Sequence, residues 1–349
     1  MRIAQVAPLW ESVPPRFYGG TERVVAFLTE ELVRLGHHVT LFASGDSDTS
    51  ANLVPACREA LRLRGSACRD HLAPHILMLE QVAEKARDFD VIHFHISELH
   101  FPVARRLPTA AHVTTLHGRL DLEELQPLYR EFADMPVVSI SDAQRHALPH
   151  ADWIATVHHG LPTDLFTFDA VGGAYLAFLG RISPEKRVDR AIAIAKSCGV
   201  PLRIAAKVDE ADRKYFERDI APLLDHPLVS FIGEIAEQEK NVFLGGSKAL
   251  LFPIDWPEPF GLVMIEAMAC GVPVIAFPGG SVEEIVEDGV NGFVVNSIEQ
   301  ASSAVRHIDR INRRKCRERF ESRFTARRMA SRYVDVYRKL AATRTGRVA

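Results

Sequence analysis

Short apolar runs alternate along the chain with stretches whose apolar residues recur at helical spacing. In the first half, Ile3–Ala7, Val39–Ala43, Val91–Phe94, Ala111–Leu116 and Met135–Ile140 read as buried strands, with Trp153–Val157 a further one. Between the first two, Val24, Leu28, Leu32 and Leu35 mark a helix, with Thr21 as its expected cap and Gly36 as its stop. The second half repeats the scheme, with strands at Tyr175–Leu179, Leu202–Ala206, Val229–Ile232, Ala249–Pro253, Pro273–Phe277 and Gly292–Val295. Helical segments fall between them at Pro184–Ser197, Glu210–Leu224, Glu237–Leu244, Phe260–Ala269 and Val282–Glu287. Continuous apolar strands that alternate with helices predict parallel sheets covered on both faces. The expected fold class is therefore α/β, with two doubly wound, Rossmann-like domains joined near His159–Gly173.

Composition agrees with this and narrows it. A length of 349 residues suits two domains, and 47% hydrophobic with 25% charged residues is the make-up of a folded globular chain. No apolar run approaches the ~18 residues of a membrane span; the longest, Leu262–Phe277, is interrupted by Glu266. Pro8, Trp10 and Glu11 arrive too early for a secretory leader, so a cytoplasmic location is expected. The five cysteines are scattered without a Cys-x-x-Cys pair, which fits a reducing compartment and neither a disulfide framework nor a thiolate metal site. His93 and His95 share one strand face, where packing or cleft lining outweighs metal binding. Asp46-Ser47-Asp48 has the spacing of a metal-binding pair but lies in a polar loop and reads as a turn, so no metal and no cofactor are expected.

Charge is unevenly spread. Net charge is −3, yet residues 306–349 hold 15 Lys or Arg against 4 Asp or Glu. Such a tail is either a solvated helix or a contact for a polyanion.

Three stretches carry chemistry. Tyr18-Gly19-Gly20-Thr21-Glu22 places two glycines at a helix entrance, where free amides and the helix dipole suit a phosphate. It lacks the Gly-x-Gly-x-x-Gly spacing of a dinucleotide site, which weakens a dehydrogenase reading. Gly180-Arg181-Ile182-Ser183-Pro184-Glu185-Lys186 puts Arg181 at a strand end and Lys186 in the first turn of the expected helix. A cation there opposes the dipole unless an anion binds between the two. In Glu258-Pro259-Phe260-Gly261-Leu262…Glu266, Glu266 is the one charge in an otherwise apolar helix. Its burial requires a cation or hydroxyl donors, and a ribose diol or an internal Arg would both serve. Glu258 and the amides of Phe260, Gly261 and Leu262 lie just before it.

Taken together, Glu258 and Glu266 in Glu-x7-Glu, the Gly-Arg-Ile-Ser-Pro-Glu-Lys segment and the Gly19-Gly20 loop resemble the retaining glycosyltransferases of family 4, with the GT-B fold and an interdomain cleft. The resemblance runs from the first strand to Val295. It implies that Arg181 and Lys186 hold the donor diphosphate and stabilise it as it leaves, that Glu266 takes the ribose hydroxyls, and that Glu258 contacts the donor sugar beside Phe260, Gly261 and Leu262. It further implies Gly19 and Gly20 near the diphosphate, His117 near the transferred sugar and Ile235 near the base. The division it implies is an acceptor-side domain over residues 1–160, with a helix of about residues 324–349 packing back on it, and a nucleotide-sugar domain over residues 161–323. The reaction expected is metal-independent, retaining transfer of a hexose from a UDP- or GDP-sugar to a sugar, lipid-linked or small-molecule hydroxyl. A nucleotide-sugar epimerase, a phosphorylase and a non-catalytic sensor share the architecture and stay as alternatives. No nucleic-acid partner is expected. Peripheral contact with the inner membrane face is open through the basic C-terminal segment.

Overall fold

The computed structural model describes residues 1–16, 19–65, 68–107 and 110–345. They form two compact units, one of residues 1–160 with 326 onward, the other of residues 161–325. In the first unit β1 (Arg2–Val6), β2 (His38–Ser44), β3 (Asn52–Cys57), β4 (Val91–Phe94), β5 (Ala111–Thr115), β6 (Pro136–Ser139) and β7 (Asp152–Thr156) build one parallel sheet. Its order is β3-β2-β1-β4-β5-β6-β7. Ile3 pairs with Val39 on one side and Val91 on the other, and all three are buried. Strand β3 escapes the hydrophobic pattern because it is a half-buried edge carrying Pro55, which only an edge tolerates.

The second unit holds β8 (Tyr175–Arg181), β9 (Leu202–Lys207), β10 (Val229–Gly233), β11 (Ser247–Phe252), β12 (Val274–Ala276) and β13 (Gly292–Val294) in the parallel order β10-β9-β8-β11-β12-β13. Ala249, Leu251 and Ile275 of its sheet are buried with Ala191, Ile194 and Ala195 of the helix Val188–Cys198 in one core. Each sheet reverses direction once, between β1 and β4 in the first unit and between β8 and β11 in the second. In open parallel sheets the carboxyl ends of the strands at such a reversal diverge and leave a crevice, where ligands bind.

Three local expectations are corrected. Thr21 does not cap the first helix, which begins at Gly20 with Gly19 as its cap. The helix expected from Pro184 starts only at Val188: Pro184–Lys186 is a 3-10 turn, and Arg187 then turns left-handed, with φ of 53°. Ser183 is extended and offers no side-chain cap. Arg187 is held in its costly conformation by two bonds from Nε and Nη2 to Asp189 and one to Asp255 at 2.8 Å. Lys186 therefore sits before the helix and not in its first turn. Lastly, Glu210–Leu224 is a series of short 3-10, α and π turns. Pro222 has no amide for the carbonyl one turn back, so the regular ladder cannot continue.

Candidate functional site

The crevice of the second unit gathers most of the residues singled out from the sequence. Arg181 ends β8, and the 3-10 turn that follows presents Lys186. Past β11, the loop Pro253–Phe260 brings Trp256 and Glu258 to the same place. Lys186 Nζ pairs with Glu258 Oε2, which also accepts from the Trp256 indole N–H at 3.0 Å. The ammonium lies 4.9 Å from the Trp256 ring centre and 5.7 Å from that of Phe252, so its remaining faces meet aromatic surface. Glu258 is buried, which makes this pairing necessary. Arg181 faces a separate set of acids, with Glu185 at 2.7 Å and Asp209 and Asp212 each at 3.7 Å.

The loop bearing Glu258 is shaped from beneath by Gly279-Gly280-Ser281, residues that sequence reasoning passed over. Gly280 has φ of 57°, and a Cβ there would fall 2.1 Å from the Glu258 carbonyl oxygen. A Cβ on Gly279 would come within 2.6 Å of the Trp256 carbonyl. Ser281 donates its amide to the Glu258 carbonyl at 2.9 Å and its hydroxyl to the Phe260 carbonyl at 2.8 Å. The Pro278-Gly279-Gly280 run just after a buried strand is the signal that could have found it. Gly261, with φ of 76°, then opens the helix Leu262–Ala269, whose first-turn amides have no partner within the helix.

Glu266 lies in that helix, buried to 2% exposure, and its Oε1 receives the Lys240 ammonium at 3.1 Å. Lys240 is itself buried and also reaches Glu237 at 3.1 Å. Of the two ways to satisfy Glu266, an internal cation is thus present, a lysine from the helix Glu237–Gly245. Glu258 and Glu266 each carry their own lysine. Ile235 is half-buried in the loop between β10 and that helix.

In the first unit, Gly19 must be glycine: a Cβ would meet Pro15 at 2.8 Å and Glu11 at 3.2 Å. Tyr18 lies outside the described residues. Glu22, in the helix's first turn, is buried, and burial together with the nearby Glu11 raises its carboxyl pKa to about 7. His117 follows β5. Its Nε2 bonds His95 Nδ1 at 2.9 Å, while His95 Nε2 meets Gln5 Oε1 at 2.7 Å. Gln5 continues to the Tyr337 hydroxyl at 3.1 Å, which bonds His93 Nδ1 at 2.7 Å. His93 Nε2 reaches Thr115 at 2.7 Å, and Thr115 reaches the Tyr333 hydroxyl at 2.8 Å. His93 and His95 are therefore members of a hydrogen-bonded chain, and burial holds both well below the usual imidazole range. His117 is pushed down to about 3 by the same cause and stays neutral at pH 7. Among the described residues, no group of three or more His, Cys, Asp or Glu is arranged to hold a metal ion. Burial pushes the thiols of Cys270 and Cys316 up to about 12, which leaves them as core residues.

The C-terminal helix runs from Ala326 to Thr345 and packs on the helix Gly20–Arg34 and on β4 and β5. Tyr333, Val336 and Tyr337 are buried while Arg327, Arg328, Arg332 and Arg338 stay exposed, so much of the basic tail is the outer face of a packed helix. Among the described residues, no helix is long and apolar enough to cross a membrane.

Two parallel sheets, each open at a reversal of strand order, define an α/β protein of the GT-B class. The chain belongs to the glycosyltransferases: residues 18–165 match the model of Glycosyltransferase Family 4, and residues 169–326 that of Glycosyl transferases group 1. Among curated relatives, the phosphatidyl-myo-inositol mannosyltransferase of Mycobacterium leprae is 24% identical over 92% of this chain and 90% of its own. A 29% identical match to an uncharacterized 41.2 kDa protein in the cps region of Klebsiella pneumoniae covers 47% of this chain and 46% of the other. Among solved structures, AviGT4, a glycosyltransferase involved in avilamycin A biosynthesis, superposes with a TM-score of 0.77 at 24% identity over 98% of each chain. The Anabaena protein HepE, solved in complex with UDP-glucose, superposes with a TM-score of 0.75 at 19% identity, over 97% of this chain and 100% of its own.

Proposed function

We propose that the protein is a retaining hexosyltransferase that uses a UDP- or GDP-sugar and needs no metal. The observation that carries the proposal is the Lys186–Glu258 pair at the carboxyl edge of β8 and β11, walled by Trp256 and backed by a glycine pair. An acid and a base held together at that strand edge can receive a ligand with both charge and hydroxyls. A nucleotide-sugar has both. Its diphosphate takes Lys186 and Arg181, and Glu258, freed of its lysine, accepts from the sugar hydroxyls. The amides of Phe260, Gly261 and Leu262 meet the same sugar, Glu266 takes the ribose beside Lys240, and Ile235 borders the base. Gly19, Gly20 and His117 are assigned to the donor from the N-terminal unit.

Breaking the anomeric bond builds negative charge on the leaving diphosphate. Two fixed cations and a helix N-terminus stabilise that charge as it appears, which is the largest lever available to such a site. Retention follows if the acceptor attacks on the face the leaving group departs from, with a diphosphate oxygen taking the acceptor's proton. The glycosyltransferase relatives and the UDP-glucose complex of HepE make uridine sugars the first donors to test, and the phosphatidyl-inositol acceptor of the mycobacterial enzyme keeps a lipid-linked acceptor in view.

The test begins with a thermal-shift panel of nucleotide sugars, since a ligand that binds the native state raises its melting temperature. Release of nucleoside diphosphate from the best donor is then followed with and without acceptors. Lys186→Ala and Glu258→Gln are expected to abolish release with unchanged circular dichroism. Full turnover in both variants overturns the proposal, and diphosphate release independent of any acceptor points to an epimerase or hydrolase.

A further inference from the structure

The first unit has its own crevice, and its lining differs in kind from that of the second. It is a pocket of about 520 Å³ at the reversal between β1 and β4, within the range of about 300–1,000 Å³ typical of small-ligand sites. Trp10 and Thr21 flank it after β1, His95 and Ser97 after β4, and His117 after β5. Among the described residues, its lining includes no Asp, Glu, Lys or Arg. The carboxyls adjacent to the lining in sequence are engaged elsewhere: Glu11 with Arg62 at 2.8 Å, Glu98 with the Tyr129 hydroxyl at 3.2 Å and Asp70 with the Leu72 amide at 2.9 Å, while Glu22 is buried in the first helix.

Burial holds His75, His95 and His117 below the usual imidazole range, so these three add no charge. His75 accepts the Leu9 amide on Nε2 at 3.2 Å and gives Nδ1–H to the His71 carbonyl at 2.7 Å, so both nitrogens are committed as a neutral ring. His95 is likewise spent on Gln5 and His117. What the pocket does offer is a flat apolar face. Trp10 is 41% exposed although its backbone carbonyl is pinned by the Arg62 amide at 3.1 Å, and its ring is backed by His71 at 4.8 Å and His75 at 6.0 Å. An exposed indole on a fixed backbone, braced from behind, is a platform for the C–H face of a sugar or polyol ring.

We infer that this pocket receives the acceptor as an uncharged polyhydroxyl ring stacked on Trp10, any phosphate or carboxylate of the acceptor lying outside it. Without a basic residue to pair with, an anionic group would lose its hydration in the pocket and gain nothing in return. Neutral hydroxyls meet neutral imidazoles and Ser97, and the ring meets Trp10. The inference rests on the transferase reading for the word acceptor, but the pocket's preference is measurable without turnover.

Binding is measured by ligand-observed magnetic resonance with a panel of neutral ligands (methyl glucoside, methyl mannoside, maltose, myo-inositol) and their phosphorylated counterparts. Neutral members are expected to bind the wild type. Trp10→Ala weakens them by about tenfold, from lost stacking and apolar contact, while Trp10→Phe keeps most of the affinity. Nucleotide-sugar binding, read by thermal shift, is unchanged in both variants. Phosphorylated members binding more tightly than the neutral ones, no neutral member binding, or an unaltered Trp10→Ala would each overturn the inference. Absence of nucleotide-sugar binding by the wild type would instead strike the transferase reading, because Trp10 is not among the residues proposed to hold the donor.

Discussion

Glu22 offers a quantitative check on how the glycine loop is built. Its carboxyl is 5% exposed and has a pKa raised to about 7, first by burial and then by the charge of Glu11. In the unfolded chain the same group titrates near 4.5. Between those values the folded protein keeps a proton that the unfolded chain has shed. The folded state therefore binds more protons, and stability falls as pH rises through this window. The gap from 4.5 to about 7, at about 1.4 kcal/mol per pH unit, gives about 3 kcal/mol lost from this group by pH 8. Glu22→Gln removes the charged form while keeping the shape. It is expected to add about 2–3 kcal/mol at pH 8 and to be close to neutral at pH 4.5. Urea unfolding of wild type and variant at both pH values, followed by far-ultraviolet circular dichroism, measures the difference. An equal effect at the two pH values, or destabilisation at pH 8, would refute the assignment of a buried, protonated carboxyl beneath the loop.

Two further outcomes follow from single contacts. Lys240→Met takes the ammonium from buried Glu266 and Glu237 and is expected to cost about 3 kcal/mol in urea unfolding; a loss under about 1 kcal/mol would mean that the pair is not what sustains Glu266. Tyr337→Phe strips a partner from both Gln5 and His93, two buried polar groups, and is expected to cost about 2–4 kcal/mol, whereas an unchanged unfolding midpoint would show that the chain from Tyr333 to His117 is not a coupled network.

What was legible in the sequence was whatever depends on neighbours along the chain. The buried strands could be read because parallel strands covered on both faces are largely apolar, as residues 249–252 of β11 are. Glu266 stood out because a lone charge in an apolar helix must be answered. The identity of the answer did not stand out, since Lys240 belongs to a polar helix of another element, 26 residues away. Arg187 was misread for a different reason. Neither apolar spacing nor intrinsic propensity favours a left-handed arginine; Asp189, two residues on, and the distant Asp255 hold it there. The histidines were legible as a cluster but not as a chain, because their connecting hydroxyls sit at residues 333 and 337. Long-range polar pairing leaves no period in a sequence, and it decides how the site's cations are presented.

The position of the C-terminal helix has a consequence for how the chain is made. Tyr333 and Tyr337 lie in the helix that completes the interior of a unit whose other part, residues 1–160, is translated first. At synthesis rates of about 5–20 residues per second, the intervening unit takes on the order of 10–30 s to emerge. Throughout that interval Gln5 and His93 have no tyrosine hydroxyl to bond, and the face of β4 and β5 that the helix covers is open to water. The N-terminal half can collapse early, but these hydrogen bonds close only after Tyr333 and Tyr337 have been made. A chain cut short anywhere before residue 326 thus leaves the face of β4 and β5 uncovered and the interior of the first unit unfinished.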